Sequence, residues 1–190
     1  MEVLTLPIAP VVLLKPARHG DSRGYFTEAY SKRRLAEAGL NFDFIQDNLS
    51  LSAERGTIRG LHFQAAPSEQ TKLVSVLRGA VLDVVVDIRA GSPTYGKHVA
   101  VELSAENGLQ LLAPRGFAHG LCTLVPDTMV AYKVDGYYDA AKDFGLRWDD
   151  PDLGIAWPIG AGEAKVSDKD RRQPLLRDLP AYFAYRGDAA

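Results

Sequence analysis

The chain has 190 residues, 46% of them hydrophobic, with 22 basic and 24 acidic side chains and a formal charge of −2. This suits one domain spanning 1–190 with a sizeable core, and the even charge gives no support for nucleic-acid or membrane partners. The lone cysteine, Cys122, excludes an internal disulfide, no apolar run is long enough to cross a bilayer, and the opening MEVLTLPIAP lacks a signal-peptide pattern, so a soluble cytoplasmic protein is expected.

Residues 11–14 form an apolar run that reads as the first strand. Gly20, Asp21, Ser22 and Gly24 mark a turn, and Arg23 and Glu28 flank the aromatic pair Tyr25 and Phe26, as in an exposed ion-paired loop. Ser31 is placed to cap a helix over residues 32–38, which Gly39 would end. The stretch QDNLSLSAERGTIRGLHFQAAPSEQTK, residues 46–72, is the richest in chemistry. At its centre RGLHFQ, residues 59–64, reads as a strand, with His62 and Gln64 on one face and Leu61 and Phe63 on the other. Leu61 and Phe63 then anchor the strand in a core while His62 faces a cavity. Arg59, Gln64 and Lys72 are costly to place around a closed core without a purpose, which favours a working His62 over a structural one.

Residues 72–77 and 80–89 read as alternating strands about a turn at Arg78 and Gly79. In the second, Val81, Asp83, Val85 and Asp87 share a face, which is either a catalytic carboxylate pair or, more simply, a partly wet surface. After a loop at 91–96, residues 99–103 and 109–112 read as a hairpin around Asn107 and Gly108. Within residues 113–124, Pro114 and Gly116 force a turn, Gly120 lets the backbone pass close to a neighbour, and His119 lies between. Residues 128–134 alternate again, with Tyr132 on the face of Val130 and Val134, as a packed tyrosine or a working one. Tyr137 and Tyr138 fall in a loop, and the tail is rich in proline and charge. Short strands, frequent turns and one clear helix argue for an all-β sandwich or jelly roll.

A metal centre is not signalled. His62-Phe63-Gln64 lacks the second histidine of a paired His-x-His element, and His19, His62, His98 and His119 are far apart in the chain. Cys122 sits in an apolar run without an activator, and neither a Gly-x-Ser-x-Gly elbow nor a phosphate-cradling glycine loop occurs. Proton transfer remains. A neutral His62 suits a base near pH 7, Tyr132 an acid, and Lys72 the stabilisation of an enolate. Spacing alone does not bring the three together.

The segments DSRGYFTE, QDNLS, IRGLHFQ, GAVLDVVVDIR, SPTYG, APRGFAHG, YKVDGYY, WDDPDLGIAWP and SDKD, in this order over residues 11–174, resemble the dTDP-4-dehydrorhamnose 3,5-epimerase family of the dTDP-L-rhamnose pathway. The resemblance implies a metal-free, cofactor-independent cupin-type jelly roll, a double-stranded β-helix with short peripheral helices, that forms a homodimer. It implies inversion of dTDP-4-dehydro-6-deoxy-D-glucose at C3 and C5. By motif, it makes His62 the general base, Tyr132 the acid on the opposite face, Asp170 the carboxylate that orients His62, and Lys72 the enolate stabiliser. Arg23, Glu28, Gln46, Asp47, Asn48, Arg59, Lys72, His119 and Lys169 match substrate-binding positions, and Tyr138 matches a tyrosine that stacks on thymine. Three departures stand out. Asp143 replaces the usual glutamate contact to the nucleotide and reaches one methylene less. The loop between QDN and RGLH is one residue longer than usual, and YYDAAKDFG lacks the common proline after its second tyrosine. A 3- or 5-monoepimerase, a metal-dependent cupin oxygenase and a non-catalytic sugar-nucleotide binding module are the alternatives. Product NMR, elemental analysis and solvent-deuterium incorporation separate them.

Overall fold

The computed structural model describes residues 1–187; residues 188–190 of the expected domain lie outside the described residues. The chain opens with β1 (Glu2–Thr5) and β2 (Val12–Lys15), then the hairpin of β3 (Arg18–Asp21) and β4 (Gly24–Thr27), and helix α1 (Lys32–Glu37). Next come β5 (Gln46–Ser52), β6 (Ile58–Gln64), β7 (Lys72–Arg78), β8 (Ala80–Asp87) and the short β9 (Arg89–Ala90). They are followed by β10 (His98–Ser104), β11 (Gln110–Ala113), β12 (Phe117–Thr123), β13 (Thr128–Val134) and β14 (Asp143–Gly145). The tail carries helix α2 (Asp168–Arg171) and β15 (Phe183–Ala184). One sheet has six strands in the order β1-β2-β11-β7-β13-β5, and a second has five in the order β10-β8-β12-β6-β14. Neighbours in both are antiparallel.

Alternation along each strand decides what the sheets bury. Leu13, Val74, Leu111 and Val130 of the six-stranded sheet meet Val81, Val85, Leu103, Phe117 and Leu121 of the other in the principal core. The result is the expected jelly roll. The far face of the five-stranded sheet presents Leu61, Phe63, Val84 and Val86, and the tail covers it with Leu153, Leu176 and Phe183. Leu61 and Phe63 therefore anchor β6, as their alternation implied. Over the six-stranded sheet, Leu35 of α1 packs on Leu14, Leu73 and Leu112, while Leu49, Leu51 and Leu77 stay exposed. Ser31 caps α1, its Oγ accepting from the Arg34 N–H at 3.4 Å, and Gly39 takes φ +80° just past the end.

Two local expectations fail. Residues 99–103 and 109–112 do not pair, since β10 lies against β8 and β11 lies between β2 and β7 in the other sheet. The Asn107 side chain accepts from the backbone N–H groups of Ser104 and Leu109, forming a turn that hands the chain from one sheet to the next. Turn residues specify a reversal, not the strand that receives it. Nor is the Asp83 and Asp87 face wet, because both side chains are fully buried. Burial pushes the Asp87 carboxyl up, but hydrogen bonds from Arg89, Ser92 and Thr94 outweigh it and hold the group below the usual carboxylate range.

Candidate active site

Between the sheets the core opens into a cavity of about 410 Å³. Lys72 of β7 and Tyr132 of β13 line it from the six-stranded sheet, and Arg59 and His62 of β6 and His119 of β12 line it from the other. Lys165, Ser167, Lys169 and Asp170 also contribute to its wall. His62 and Tyr132 thus come from opposite sheets and face one space.

Strict alternation would turn Arg59, three residues from His62, to the other side of β6. The pairing with β12 instead shifts register: His62 pairs with His119, and Arg59 with Leu121. The extra residue on β6 is accommodated as a bulge, and Arg59 joins His62 in the cavity. The bulge requires Gly60, which has φ +113° and where a Cβ would lie 2.6 Å from the His119 carbonyl oxygen. Across from it, a Cβ on Gly120 would lie 2.8 Å from the Arg59 carbonyl oxygen, the close approach its sequence context suggested.

Asp170 is held on α2, where its N–H donates to the capping Ser167 Oγ at 3.1 Å. His62 Nε2 lies 2.6 Å from Asp170 Oδ1, and the Gly60 N–H donates to Oδ2 at 3.3 Å. Burial pushes the Asp170 carboxyl up, but the bonds from His62, Gly60 and Ser167 outweigh it and keep the group below the usual range. An ionised carboxylate only accepts, so Nε2 carries hydrogen and Nδ1 is left to take a proton. Beside this pair, His119 Nε2 lies 3.0 Å from both oxygens of buried Asp83. Two imidazole–carboxylate pairs therefore stand on neighbouring strands. The sequence offers Asp83 as half of a carboxylate pair with Asp87 or as part of a wet face, not as the partner of His119. The available signal was a carboxylate between Val81 and Val85 on a core-facing side, where a charge needs a partner.

Lys72 is half-buried in the cavity wall, with Nζ donating to the His62 carbonyl oxygen at 3.2 Å. Burial lowers its pKa to about 8, opposed by the charges of Asp143 and Asp83, while Lys169 pushes the same way as burial. Burial raises the pKa of Tyr132, so its hydroxyl holds its proton at neutral pH and can act as a donor. Gln64 plays a structural part. Its Nε2 donates to the carbonyls of Ser68 (2.6 Å) and Tyr137 (3.1 Å), and its Oε1 accepts from the Asp139 N–H (2.7 Å). These bonds fix the loop that carries Tyr138. The exposed Tyr138 donates its hydroxyl to Asp143 Oδ2 at 3.0 Å, and Lys169 Nζ donates to the same oxygen. The hydrogen bond to Asp143 raises the Tyr138 pKa.

Seven motif-matched residues do not line this cavity: Tyr138 and Asp143 stand beside it, joined through Asp143 to Lys169 of its wall, and five others lie away from it. Arg23 pairs with Asp21 beside the β3–β4 turn, and Glu28 pairs with Arg34 at 2.6 Å. Asp47 turns outward on β5 to Lys133, and Gln46 and Asn48 bond one another at 2.8 Å, outside the lining. Cys122 is buried, with its thiol pushed up to about 11 by burial, and packs in a core with Ile58 and Trp148. Among the described residues, no three His, Cys, Asp or Glu side chains converge as a possible metal ligand set.

The family model described as dTDP-4-dehydrorhamnose 3,5-epimerase matches residues 5–178. A curated protein of that name from Sinorhizobium fredii is 51% identical over 181 residues, which is 95% of this chain and 92% of that protein. The crystal structure of the Bacillus anthracis enzyme of the same name, with TDP and PPi bound, is 52% identical, has a TM-score of 0.89 and is covered to 98%, against 92% of this chain. A dTDP-6-deoxy-D-glucose-3,5-epimerase from Legionella pneumophila, in complex with dTDP-4-keto-L-rhamnose, is 41% identical with a TM-score of 0.93 and covers 98% of this chain and 99% of its own. A full-length match, a shared fold and a cavity built on the IRGLHFQ strand together establish that the chain belongs to the dTDP-4-dehydrorhamnose 3,5-epimerase family.

Proposed function

We propose that the cavity inverts dTDP-4-dehydro-6-deoxy-D-glucose at C3 and C5 to give dTDP-4-dehydro-L-rhamnose, with residues 1–190 acting as one catalytic domain. The observation that carries this reading is the opposition of His62, bonded to Asp170, and Tyr132 across the gap between two sheets. A base and an acid on opposite sides of one carbon are what inversion requires. Nδ1 of His62 takes the proton from the carbon beside the C4 ketone. Negative charge moves to the ketone oxygen, where the Lys72 ammonium stabilises it. Tyr132 then protonates the carbon from the other side. C3 and C5 both flank C4, so one enolate site serves both. The diphosphate suits Arg59, whose planar guanidinium matches oxyanions. Tyr138 offers its ring to the thymine, and Asp143, Lys169 and His119 bind the remainder. No metal or other cofactor enters the chemistry.

The same reading makes the enzyme a cytoplasmic homodimer. The buried free thiol of Cys122 fits a reducing compartment, and the exposed apolar face of the six-stranded sheet offers a dimer surface. Arg23, Glu28 and Asp47 then serve substrate through that interface.

The test is NMR of the sugar nucleotide in D₂O. Wild-type enzyme should place deuterium at C3 and C5 of the inverted product, and inversion at a single carbon would make it a monoepimerase. His62→Asn should abolish exchange and turnover together. Tyr132→Phe should lower product formation by about 10²–10⁴-fold while deuterium still washes into unreacted substrate. Wild-type exchange in His62→Asn would assign the base to another group.

A further inference from the structure

Residues 164–167 run beside β6 as an added extended segment. Lys165 bridges Thr57 in parallel, its carbonyl accepts from the Ile58 N–H at 2.9 Å, and its N–H donates to the Gly56 carbonyl at 2.9 Å. An extended segment sends alternate side chains to opposite sides. Ala164 and Val166 enter the apolar cluster of Ile58, Cys122 and Trp148. Lys165 and Ser167 must then face the other way, and both line the catalytic cavity. Lys165 is thus directed there by the backbone ladder and by the packing of its neighbours.

Its ammonium differs from the other cations of that cavity. Lys72 is bonded to the His62 carbonyl, Arg59 donates to Ser52 Oγ and the Leu51 carbonyl, and Lys169 is tied to Asp143. Lys165 has a looser ion pair, 3.5 Å from Glu54 Oε2, with the two side chains 55% and 66% exposed. A solvated pair of this kind contributes little and exchanges readily. Lys165 also stands beside Thr57, which precedes Arg59 by two residues, and it lines the same cavity as that guanidinium suited to a diphosphate.

We propose that Lys165 is a further diphosphate contact, a cation that leaves Glu54 for the substrate's phosphate oxygens when the nucleotide enters. The proposal rests on the reading of the cavity as a dTDP-sugar site. Bonding to an ionised phosphate is stronger than a solvated carboxylate pair, so the exchange favours binding. Glu54 holds the ammonium near the cavity and competes with the ligand for it. Removing either partner should therefore act in opposite directions.

The experiment is titration calorimetry of dTDP, and of thymidine as a phosphate-free probe, into wild type, Lys165→Ala, Glu54→Gln and the double variant, with steady-state kinetics alongside. Lys165→Ala should weaken dTDP by roughly fivefold, leave thymidine unchanged, and raise KM with kcat nearly unaltered. Glu54→Gln should tighten dTDP by about twofold, and that gain should vanish in the double variant. Equal dTDP affinity for wild type and Lys165→Ala would overturn the proposal, as would equal losses for dTDP and thymidine. Failure of the wild type to bind dTDP would overturn the reading of the cavity itself, and the proposal with it.

Discussion

Lys72 is where burial and chemistry meet. Its pKa of about 8 stands against an ordinary 10.5, with burial the main cause. In the proposed mechanism enolate stabilisation needs the ammonium, so kcat/KM should fall as pH rises through about 8. Lys72→Arg should remove this alkaline limb, because a guanidinium stays charged; a limb that persists near pH 8 in that variant would assign it elsewhere. Stability carries the opposite sign. Between about pH 8 and 10.5 the unfolded chain binds the proton that native Lys72 has lost, so stability rises across that window. Below it both states are protonated, and the burial penalty is constant. Asp83 supplies an independent lever, since its charge raises the Lys72 pKa while its oxygens hold His119. Asp83→Asn should move the alkaline limb below the wild-type value and lower kcat by about tenfold or more. A variant with reduced kcat and an unmoved limb would make Asp83 a packing residue only.

β6 shows why one element was only half legible. Its apolar residues announced a strand, and the facing of His62 and of Leu61 and Phe63 followed from period two. The bulge did not follow, because alternation carries no mark of an extra residue; it places Arg59 beside His62 and depends on the backbone of β12. The partners of β10 and β11 were hidden for the same reason: a local pattern gives the face of a strand but not its neighbour. Asp83 looked solvated because its partner His119 lies 36 residues away. Glycine at position 60 is the testable part. An alanine there would have to keep φ +113° and would drive its Cβ to 2.6 Å from one backbone atom and 2.7 Å from another. Gly60→Ala should cost about 1–3 kcal/mol from backbone strain, more with the clash, and lower Tm by roughly 5–10 °C. Activity should fall further than unfolding explains, because β6 must slide off β12 and take His62 with it. Gly39→Ala is the control, with φ +80° but nothing within 4 Å of the added carbon. It should show only the smaller left-handed cost, about 1–2 kcal/mol, with full activity. Equal losses in the two variants would mean that the close approach at Gly60 contributes nothing.

At the scale of the molecule, the two sheets are covered unequally. The tail closes the five-stranded sheet, whereas the outer side of the six-stranded one leaves Leu49 62% and Leu77 57% exposed, with Phe26 of the β3–β4 hairpin at 71%. A groove of about 470 Å³ runs along this side, lined by Tyr25, Asp47, Leu49 and Leu77 among others. Contiguous apolar surface of this kind marks an interface, and two-fold dimers are the commonest closed assembly. Of the residues matched to substrate binding but absent from the cavity, Asp47 lines the groove, and Arg23 sits at the hairpin beside Tyr25 and Phe26. In the proposed homodimer, a second copy on this face would give Arg23 a route to the partner's cavity. Complementation tests it. Arg23→Ala and His62→Asn should each be nearly inactive alone. In a mixed dimer, the cavity of the Arg23→Ala protomer keeps its own His62 and receives the intact Arg23 of the other copy. After subunit exchange in an equal mixture, half the dimers are mixed and each has one complete site, so activity should return to about a quarter of wild type. If Arg23 serves its own cavity, every site in every dimer lacks one residue and no activity returns. Sedimentation of the mixture establishes that dimers are present, and Leu49→Glu, which puts a charge on the shared face, should abolish both the dimer and the recovery.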